Sequence, residues 1–401
     1  MDQNQNQKEF KQSIVSLWAI GVGSTIGGDF FGYQNVLKGG ILIALISTAI
    51  CSLVFLSVGY SVSELTIRLH HKCKNGSVAR VTLVLGKMWG MRSACFSLLK
   101  VHNVLCALMV GMSGYILSLL DLSENYQFVL YPILYLIFYG INCQGAEISS
   151  MQQIIITIFC LIILVVYYSV VATNINFEEN ALPYVTTSDI GDVIGAIPYG
   201  CWLFLGFEEI PLLVTSTKFT EDVAWNISRS ILYSYLTLTL FGFLTVILSA
   251  ASSPGLEVVS DSNVPLLEGL KDAIRSSSLD AYYNGITASM SVCFVLALAC
   301  PTISFTMYTG KFIEQLAERK SRGGMGLLPG WLIYEPDNSG KDASSSSHSR
   351  TSLLSRDSAP RVSFSFGNAN KFGVPHYALW LACIVGTIQC CLFGLIFGIS
   401  K

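Results

Sequence analysis

Residues 21–32 read GVGSTIGGDFFG and lie in the middle of the first long apolar stretch of the chain, Ser13–Tyr33. Five glycines in these residues would let neighbouring helices approach closely, and the spacing of Gly23 and Gly27 is typical of such packing. Packing does not account for Asp29, because an unpaired carboxylate deep in a membrane costs at least about 2.5 kcal/mol. Consecutive glycines also weaken a helix. We therefore predict a broken membrane helix whose acid faces a cavity or a partner.

A second apolar stretch, residues 198–211, reads PYGCWLFLGFEEIP and shows a similar interruption. A proline stands at each end, with Gly206, Glu208 and Glu209 between them. Pro211 removes a backbone donor and clashes with the preceding turn. For Glu209 the preferred interpretation is a kinked helix that points this side chain to the cytoplasmic interface. For Glu208, which lies beside a glycine and aromatic residues, a functional and a structural role are both open.

The composition of the chain is that of a membrane protein. Hydrophobic residues make up 52% of the 401 residues and charged residues 12%, whereas soluble domains carry about 25% charged residues. A bilayer requires about 20 apolar residues per helix, and lipid enforces helical structure. We predict an all-α integral membrane protein with nine spans, numbered here as segments one to nine: Ser13–Tyr33, Gly40–Tyr60, Ser93–Leu119, Gln127–Ile141, Met151–Val171, Val193–Val214, Ile231–Ala251, Gly285–Thr309 and Val374–Ile399.

The charges of the loops predict the orientation. Six basic residues and no acidic residue lie between positions 66 and 92, after segment two. The loop after segment five carries four acidic residues between Glu178 and Asp192 and no basic one. Because basic loops stay in the cytoplasm, the N-terminus is predicted to be cytoplasmic. The plasma membrane is the expected location.

The predicted organisation has four parts. A cytoplasmic tail covers residues 1–12, and a transmembrane domain of eight helices covers residues 13–310. A cytoplasmic loop rich in serine and arginine follows over residues 311–373, and the ninth transmembrane helix covers residues 374–401. The composition of the loop is typical of a flexible linker, and phosphorylation of its serines is an alternative role.

The positions of the two interruptions indicate a binding site. Segments one and six are five apart, as expected for equivalent broken helices of a five-plus-five inverted repeat, which bind substrate near the middle of the membrane. Half-helix N-termini offer N–H groups to a carboxylate, and Asp29 or Glu208 could pair with an ammonium group. The aromatic side chains of Trp202, Phe204 and Phe207 could cover the ligand. The pattern predicts a site for a small amine or amino acid.

At these residues the chain resembles the amino acid–polyamine–organocation (APC) superfamily of permeases, and within it the ethanolamine-permease-like branch. Residues 25–33 are similar to the first-span signature of that branch, and residues 197–208 to the family's sixth span. Weaker similarity extends over residues 64–90 and 304–329. The resemblance implies the LeuT-type fold, alternating access and substrate binding by seven residues: Ile26, Gly27, Gly28, Asp29, Phe204, Gly206 and Glu208.

The chain also departs from the family it resembles. Members usually have twelve spans, so nine spans indicate a fold truncated after about the ninth helix, as in a fragment, a truncated gene product or a degenerate paralogue. Segment five has no lysine, although related proton-coupled members place one there. Residues 215–217, Thr-Ser-Thr, replace an acidic pair that often ends the sixth span. Lys100 and His102 lie in segment three, where the family often has an acid.

The combined pattern predicts a secondary transporter that imports ethanolamine, an amino acid or a related amine by proton coupling or exchange, without a cofactor or metal. The alternative is a non-transporting sensor or regulatory protein. No Ser-His-Asp set, HExxH motif or phosphate-binding loop indicates an enzyme, and no basic patch indicates nucleic-acid binding. The expected partners are the lipid bilayer, a small-molecule substrate and an accessory or full-length permease.

Overall fold

The computed structural model describes residues 13–70, 76–144, 146–184, 190–213, 221–262, 264–275, 283–317 and 376–398. Regular structure in these residues is helical, apart from an isolated bridge between Ile175 and Ser252. The predicted tail over residues 1–12 and the Thr-Ser-Thr stretch lie outside the described residues, as does the predicted loop beyond Ala317. The all-α prediction is confirmed for the described part of the chain.

Five of the described helices are long and apolar enough to cross a membrane. They coincide with segments two, three, five, seven and eight: Ile41–Leu69, Lys87–Leu120, Ala146–Val171, Glu221–Ala251 and Tyr283–Ala317. Shorter apolar helices lie at segments one, four, six and nine: Ile14–Thr25 with Gly27–Phe30, Gln127–Asn142, Ile190–Gly200 and His376–Gly398. The nine-span count and the LeuT-type inverted repeat stay predictions.

The long helices expose large apolar side chains on their outer faces. Leu53 in segment two is 64% exposed, Phe96 in segment three 72% and Ile162 in segment five 56%. An apolar surface of this extent is unfavourable in water, whereas lipid chains solvate it. The outer faces therefore match a protein embedded in a bilayer.

The segments pack in two groups. In the first group, segments one and two each contact segments six and seven. In the second group, segments three, four, eight and nine contact one another. Segment one also packs against segments five and eight. The Thr157 hydroxyl donates to the Ala19 carbonyl oxygen at 2.9 Å, and the Trp18 indole N–H donates to the Thr237 hydroxyl at 3.1 Å. These bonds anchor segment one to segments five and seven.

Short helices that the sequence reading did not predict lie between the long ones. Pro265–Arg275 buries Leu266, Leu270 and Ile274, spaced four residues apart, against segments five and eight. This spacing places them on one face of the helix, but eleven residues are too few to span a membrane. The other short helices of this kind are Gln34–Leu37, Gly76–Leu85, Phe177–Asn180 and Leu256–Asp261. A further short helix, Ile210–Leu213, lies at the end of predicted segment six.

Candidate substrate-binding site

Segment one is interrupted where its glycines predict. The helix Ile14–Thr25 ends before Ile26, and a second helix, Gly27–Phe30, follows directly. The N–H group of Ile26 still donates to the Val22 carbonyl oxygen at 2.8 Å, so the interruption is a local turn. Helical structure then stops at Phe31, whose backbone is extended. The residues of the second helix therefore form the last helical turn of segment one.

Segment six is interrupted more strongly. The helix Ile190–Gly200 passes into a 3₁₀ turn, Cys201–Leu203, and a second 3₁₀ turn, Phe207–Glu209, follows after a three-residue gap. Within this gap Gly206 has φ of +138°, a conformation that residues with a Cβ atom rarely adopt. Glycine is therefore required at the interruption, and the predicted broken helix is present in segment six.

The two interruptions contact each other. The Trp202 indole N–H donates to the Phe31 carbonyl oxygen at 2.6 Å. A Cβ atom at Gly28 would lie 2.5 Å from the Trp202 carbonyl oxygen, closer than real Cβ contacts. A Cβ atom at Gly206 would lie 3.0 Å from the Ser24 hydroxyl. Because these positions are glycines, the backbones of the two segments lie closer together than larger side chains would allow.

Replacing Gly28 by alanine is expected to lower the free energy of unfolding by about 1–3 kcal/mol, the usual cost of overpacking a tight interior. Unfolding of the purified protein in detergent micelles measures this loss. Gly114→Ala is the matched control, because no described atom lies within 4 Å of a Cβ atom at Gly114 in helix Lys87–Leu120. Alanine there favours the helix by about 1 kcal/mol. Equal losses in the two variants would contradict the close approach.

Asp29 is completely buried where segment one packs against segment seven. Its Oδ1 atom accepts a hydrogen bond from the Thr245 hydroxyl at 2.8 Å, whereas its Oδ2 atom has no hydrogen-bond partner among the described residues. The Tyr168 hydroxyl of segment five lies 2.6 Å from the same Thr245 hydroxyl. A buried carboxylate with an unpaired oxygen has lost its hydration without full compensation. A cation at Oδ2 would supply the missing interaction.

Other hydroxyl groups hold the backbone around this acid. The Tyr33 hydroxyl lies 2.9 Å from the Ser249 hydroxyl of segment seven, which lies 3.4 Å from the Tyr167 hydroxyl of segment five. The Tyr115 hydroxyl of segment three donates to the Phe30 carbonyl oxygen at 3.1 Å. Segments three and seven thus bond directly to the end of segment one, and segment five bonds to segment seven at the same place.

A cluster of three charged groups lies at the interruption of segment six. The Lys100 ammonium of segment three donates to Glu208 Oε1 at 2.8 Å and to Glu209 Oε1 at 2.5 Å. Glu208 Oε2 accepts the Gly206 N–H group at 2.8 Å. The Glu209 side chain is only 4% exposed, so the structure buries it instead of placing it at the expected interface. Attraction to the lysine offsets the cost of removing this carboxylate from water.

The aromatic side chains near the interruption of segment six point to different neighbours. Phe204 and Phe207 are fully buried, and their ring centroids lie 6.0 and 6.1 Å from that of Phe55 in segment two. Trp202 instead bonds to segment one through its indole N–H group. The covering of a ligand by Phe204 stays a prediction.

Comparison with known sequences identifies the family. A profile of the amino acid permeases matches residues 13–321, which is most of the chain. The chain belongs to the amino acid permease family. The chain is also 23% identical over 250 residues to an uncharacterized transporter of Rhizobium meliloti (strain 1021), with 58% of this chain and 49% of that protein covered. The chain spans about half the length of this curated relative.

The family assignment confirms the resemblance to the APC superfamily, whereas the ethanolamine-permease-like branch stays a prediction. Together with the five long apolar helices it indicates that the chain is a multi-pass integral membrane protein, whose environment is the lipid bilayer. The matched region includes both interruptions, Asp29 and the charged cluster formed by Lys100, Glu208 and Glu209. Orientation and the identity of the membrane stay predictions.

The predicted site residues of the permease lie in different surroundings. Ile26 is fully buried, and a Cβ atom at Gly27 would lie 2.6 Å from Pro301 of segment eight. Gly28, Asp29 and Gly206 lie at or beside the contact between the interruptions, and both oxygens of Glu208 already accept protein donors. The predicted binding residues do not include Thr245, Lys100 or Glu209. The position of Lys100 within an apolar segment could have indicated an acidic partner, since a buried cation requires one.

Proposed function

We propose that the chain is a secondary transporter of small amines or amino acids, with ethanolamine as the leading candidate substrate. Membership of the amino acid permease family supports transport as the activity. An amine or amino acid substrate is inferred from the fully buried Asp29, whose Oδ2 atom has no partner among the described residues at the interruption of segment one. An ammonium group is the part of these substrates that such an oxygen would bind.

The surroundings of Asp29 support this assignment. Thr245 holds Oδ1 and leaves Oδ2 for a second donor. An ammonium group supplies three N–H donors and a full positive charge, so its bond to a carboxylate is stronger than a bond between neutral groups. In a buried site the attraction is also weakly screened. A neutral analogue of equal size would leave the carboxylate uncompensated.

The arrangement of the segments supports alternating access as the mechanism. The interrupted segments one and six lie in one packed group, and segments three and eight lie in the other. A rocking motion of one group against the other would expose a site at the interruptions first to one side of the membrane and then to the other. We place the N-terminus in the cytoplasm on the basis of loop charge, and we propose the plasma membrane as the location.

The test is uptake of labelled ethanolamine, choline and a panel of amino acids into liposomes that contain the purified chain. We expect saturable uptake of at least one primary amine, with competition by other amines and none by ethylene glycol, which lacks the ammonium group. Liposomes without protein provide the background. No uptake of any panel member by correctly inserted protein would contradict the proposal and favour a sensor or regulatory protein.

A further inference from the structure

The charged cluster in segments three and six contains two carboxylates and one ammonium group. Lys100 bonds to both Glu208 and Glu209. With both acids ionised, the cluster would carry one uncompensated negative charge in a buried place, which is costly in the interior of a membrane protein. One further positive charge would make the cluster neutral.

The hydrogen bonds distinguish the two carboxylates. Glu208 receives a donor at each oxygen, Lys100 at Oε1 and the Gly206 N–H group at Oε2, as an ionised carboxylate requires. Glu209 receives Lys100 at Oε1, but its Oε2 atom is buried and has no hydrogen-bond partner among the described residues. A proton on Oε2 would remove the charge that the surroundings do not compensate. Oε2 of Glu209 is therefore the atom of the cluster that can take up a further proton.

The tyrosine and cysteine side chains near the cluster do not supply this charge. Segment eight, which packs against Ile210–Leu213, also carries Lys311, but the described bonds of Glu208 and Glu209 come from Lys100 and Gly206. Tyr308 of segment eight interacts electrostatically with all three members, and Cys201 interacts with Glu208; both are neutral side chains that lose a proton when they ionise. Tyr235 of segment seven packs its ring 6.3 Å from that of Phe207. Helix Ile14–Thr25 contains no titratable side chain.

A further cation lies on a neighbouring helix. Helix Gly76–Leu85 packs against Ile210–Leu213, which directly follows the cluster, and it carries the buried Arg80. The described hydrogen bonds and ion pairs of Glu209 involve Lys100 and no bond from this arginine. The Oε2 atom of Glu209 is therefore left without a donor among the described residues.

We infer that Glu209 is the proton-binding group that couples transport by this permease to a proton gradient. The inference rests on the proposed function and names the coupling ion of that transporter. Oε2 of Glu209 takes up a proton from one side of the membrane and releases it to the other, while Lys100 stays protonated and Glu208 stays ionised. The reaction is a proton transfer alone, without an oxidant or a second reactant.

The cluster is placed to convert protonation into movement. Lys100 lies in the group of segments three, four, eight and nine, whereas Glu208 and Glu209 follow the interruption of segment six in the other group. The ion pairs therefore join the two groups across their boundary. A proton on Glu209 weakens its ion pair with Lys100, and release of the proton restores that ion pair. The strength of the connection between the groups thus depends on the proton.

Infrared spectroscopy of the purified protein in liposomes tests the proton directly. A protonated carboxylic acid has a C=O stretching band that a carboxylate lacks. We expect a pH-dependent band of this kind in the wild type that disappears in Glu209→Gln and persists in Glu178→Gln, the matched change at an exposed acid. Asp29→Asn identifies any separate band of the second buried acid. Persistence of the pH-dependent band in Glu209→Gln would overturn the inference.

Transport provides the second readout. If one proton moves with each substrate, a gradient of one pH unit should drive about tenfold accumulation of substrate by the wild type and by Glu178→Gln in liposomes held at zero membrane potential. Glu209→Gln should show no accumulation above the equilibrated level. Accumulation equal to that of the wild type would overturn the coupling role. If Glu209→Gln does not fold, Glu209→Asp decides, because moving the carboxyl group should shift the frequency of the infrared band.

The two readouts separate failure of the inference from failure of the proposed function. If the wild type transports no panel substrate, the proposed function fails, and coupling fails with it, whichever residue carries the infrared band. If the wild type transports substrate but the band belongs to another residue, only the assignment of the proton to Glu209 fails.

Discussion

Replacing Asp29 by asparagine is expected to lower amine uptake by the permease by about thirtyfold or more. Asparagine has nearly the same shape but no charge, so the substrate ammonium would enter a buried site without a counter-charge. Loss of one partner of a buried charge pair costs about 2–5 kcal/mol, which corresponds to this factor or a larger one. Initial rates of labelled ethanolamine uptake into liposomes measure the effect, with the amount of inserted protein determined separately.

Asp121→Asn is the matched control for this loss. Asp121 is exposed at the end of helix Lys87–Leu120 and has φ of 51°, a left-handed conformation that asparagine also tolerates. We expect uptake by this variant to equal that of the wild type. Wild-type uptake by Asp29→Asn would remove Asp29 from the substrate site and the amine preference with it.

Replacing Lys100 by methionine is expected to lower the free energy of unfolding by about 3 kcal/mol. Methionine has a similar length but no charge, so two carboxylates that are 9% and 4% exposed would remain buried next to each other without a cation. Removal of one partner from a buried ion pair typically costs about 3–5 kcal/mol, and the 29% exposure of Lys100 places the expected value at the lower end. Denaturation in mixed detergent micelles measures the loss.

Lys271→Met is the matched control, because Lys271 has similar exposure, 32%, but its partner Glu268 is 31% exposed. Water can solvate that carboxylate after the lysine is lost, so we expect a change below about 1 kcal/mol. Combining Lys100→Met with Glu208→Gln and Glu209→Gln removes the stranded charges and should restore much of the lost stability. Equal losses for the two lysines would show that the charged cluster does not stabilise the fold.

Much of the helical architecture follows from the sequence because apolar length is a local property. Segment four was predicted over Gln127–Ile141, and the helix covers Gln127–Asn142. The interruptions were also predictable, since glycine and proline affect the backbone at their own positions. Short amphipathic helices such as Pro265–Arg275 were missed because their apolar residues are interleaved with charged ones.

The contacts within the candidate site were much less predictable. Lys100 and Glu209 are 109 positions apart, and their meeting depends on how segments three and six are rotated about their axes. Thr245 reaches Asp29 across 216 positions for the same reason. A helix shows which residues share a face, but its sequence alone does not say which neighbour that face meets. The kinked-helix interpretation therefore places Glu209 at the cytoplasmic interface, whereas its ion pair with Lys100 lies in the interior.

Photocrosslinking with a labelled ethanolamine analogue tests the location of the substrate site most directly. The analogue carries a diazirine group, and mass spectrometry of the purified protein identifies the peptides it modifies. We predict that labelling will be concentrated in residues 26–29 and 204–208 and that excess unlabelled substrate will abolish it. Labelling of other segments that is displaced by the same substrate would contradict a site between the interruptions of segments one and six.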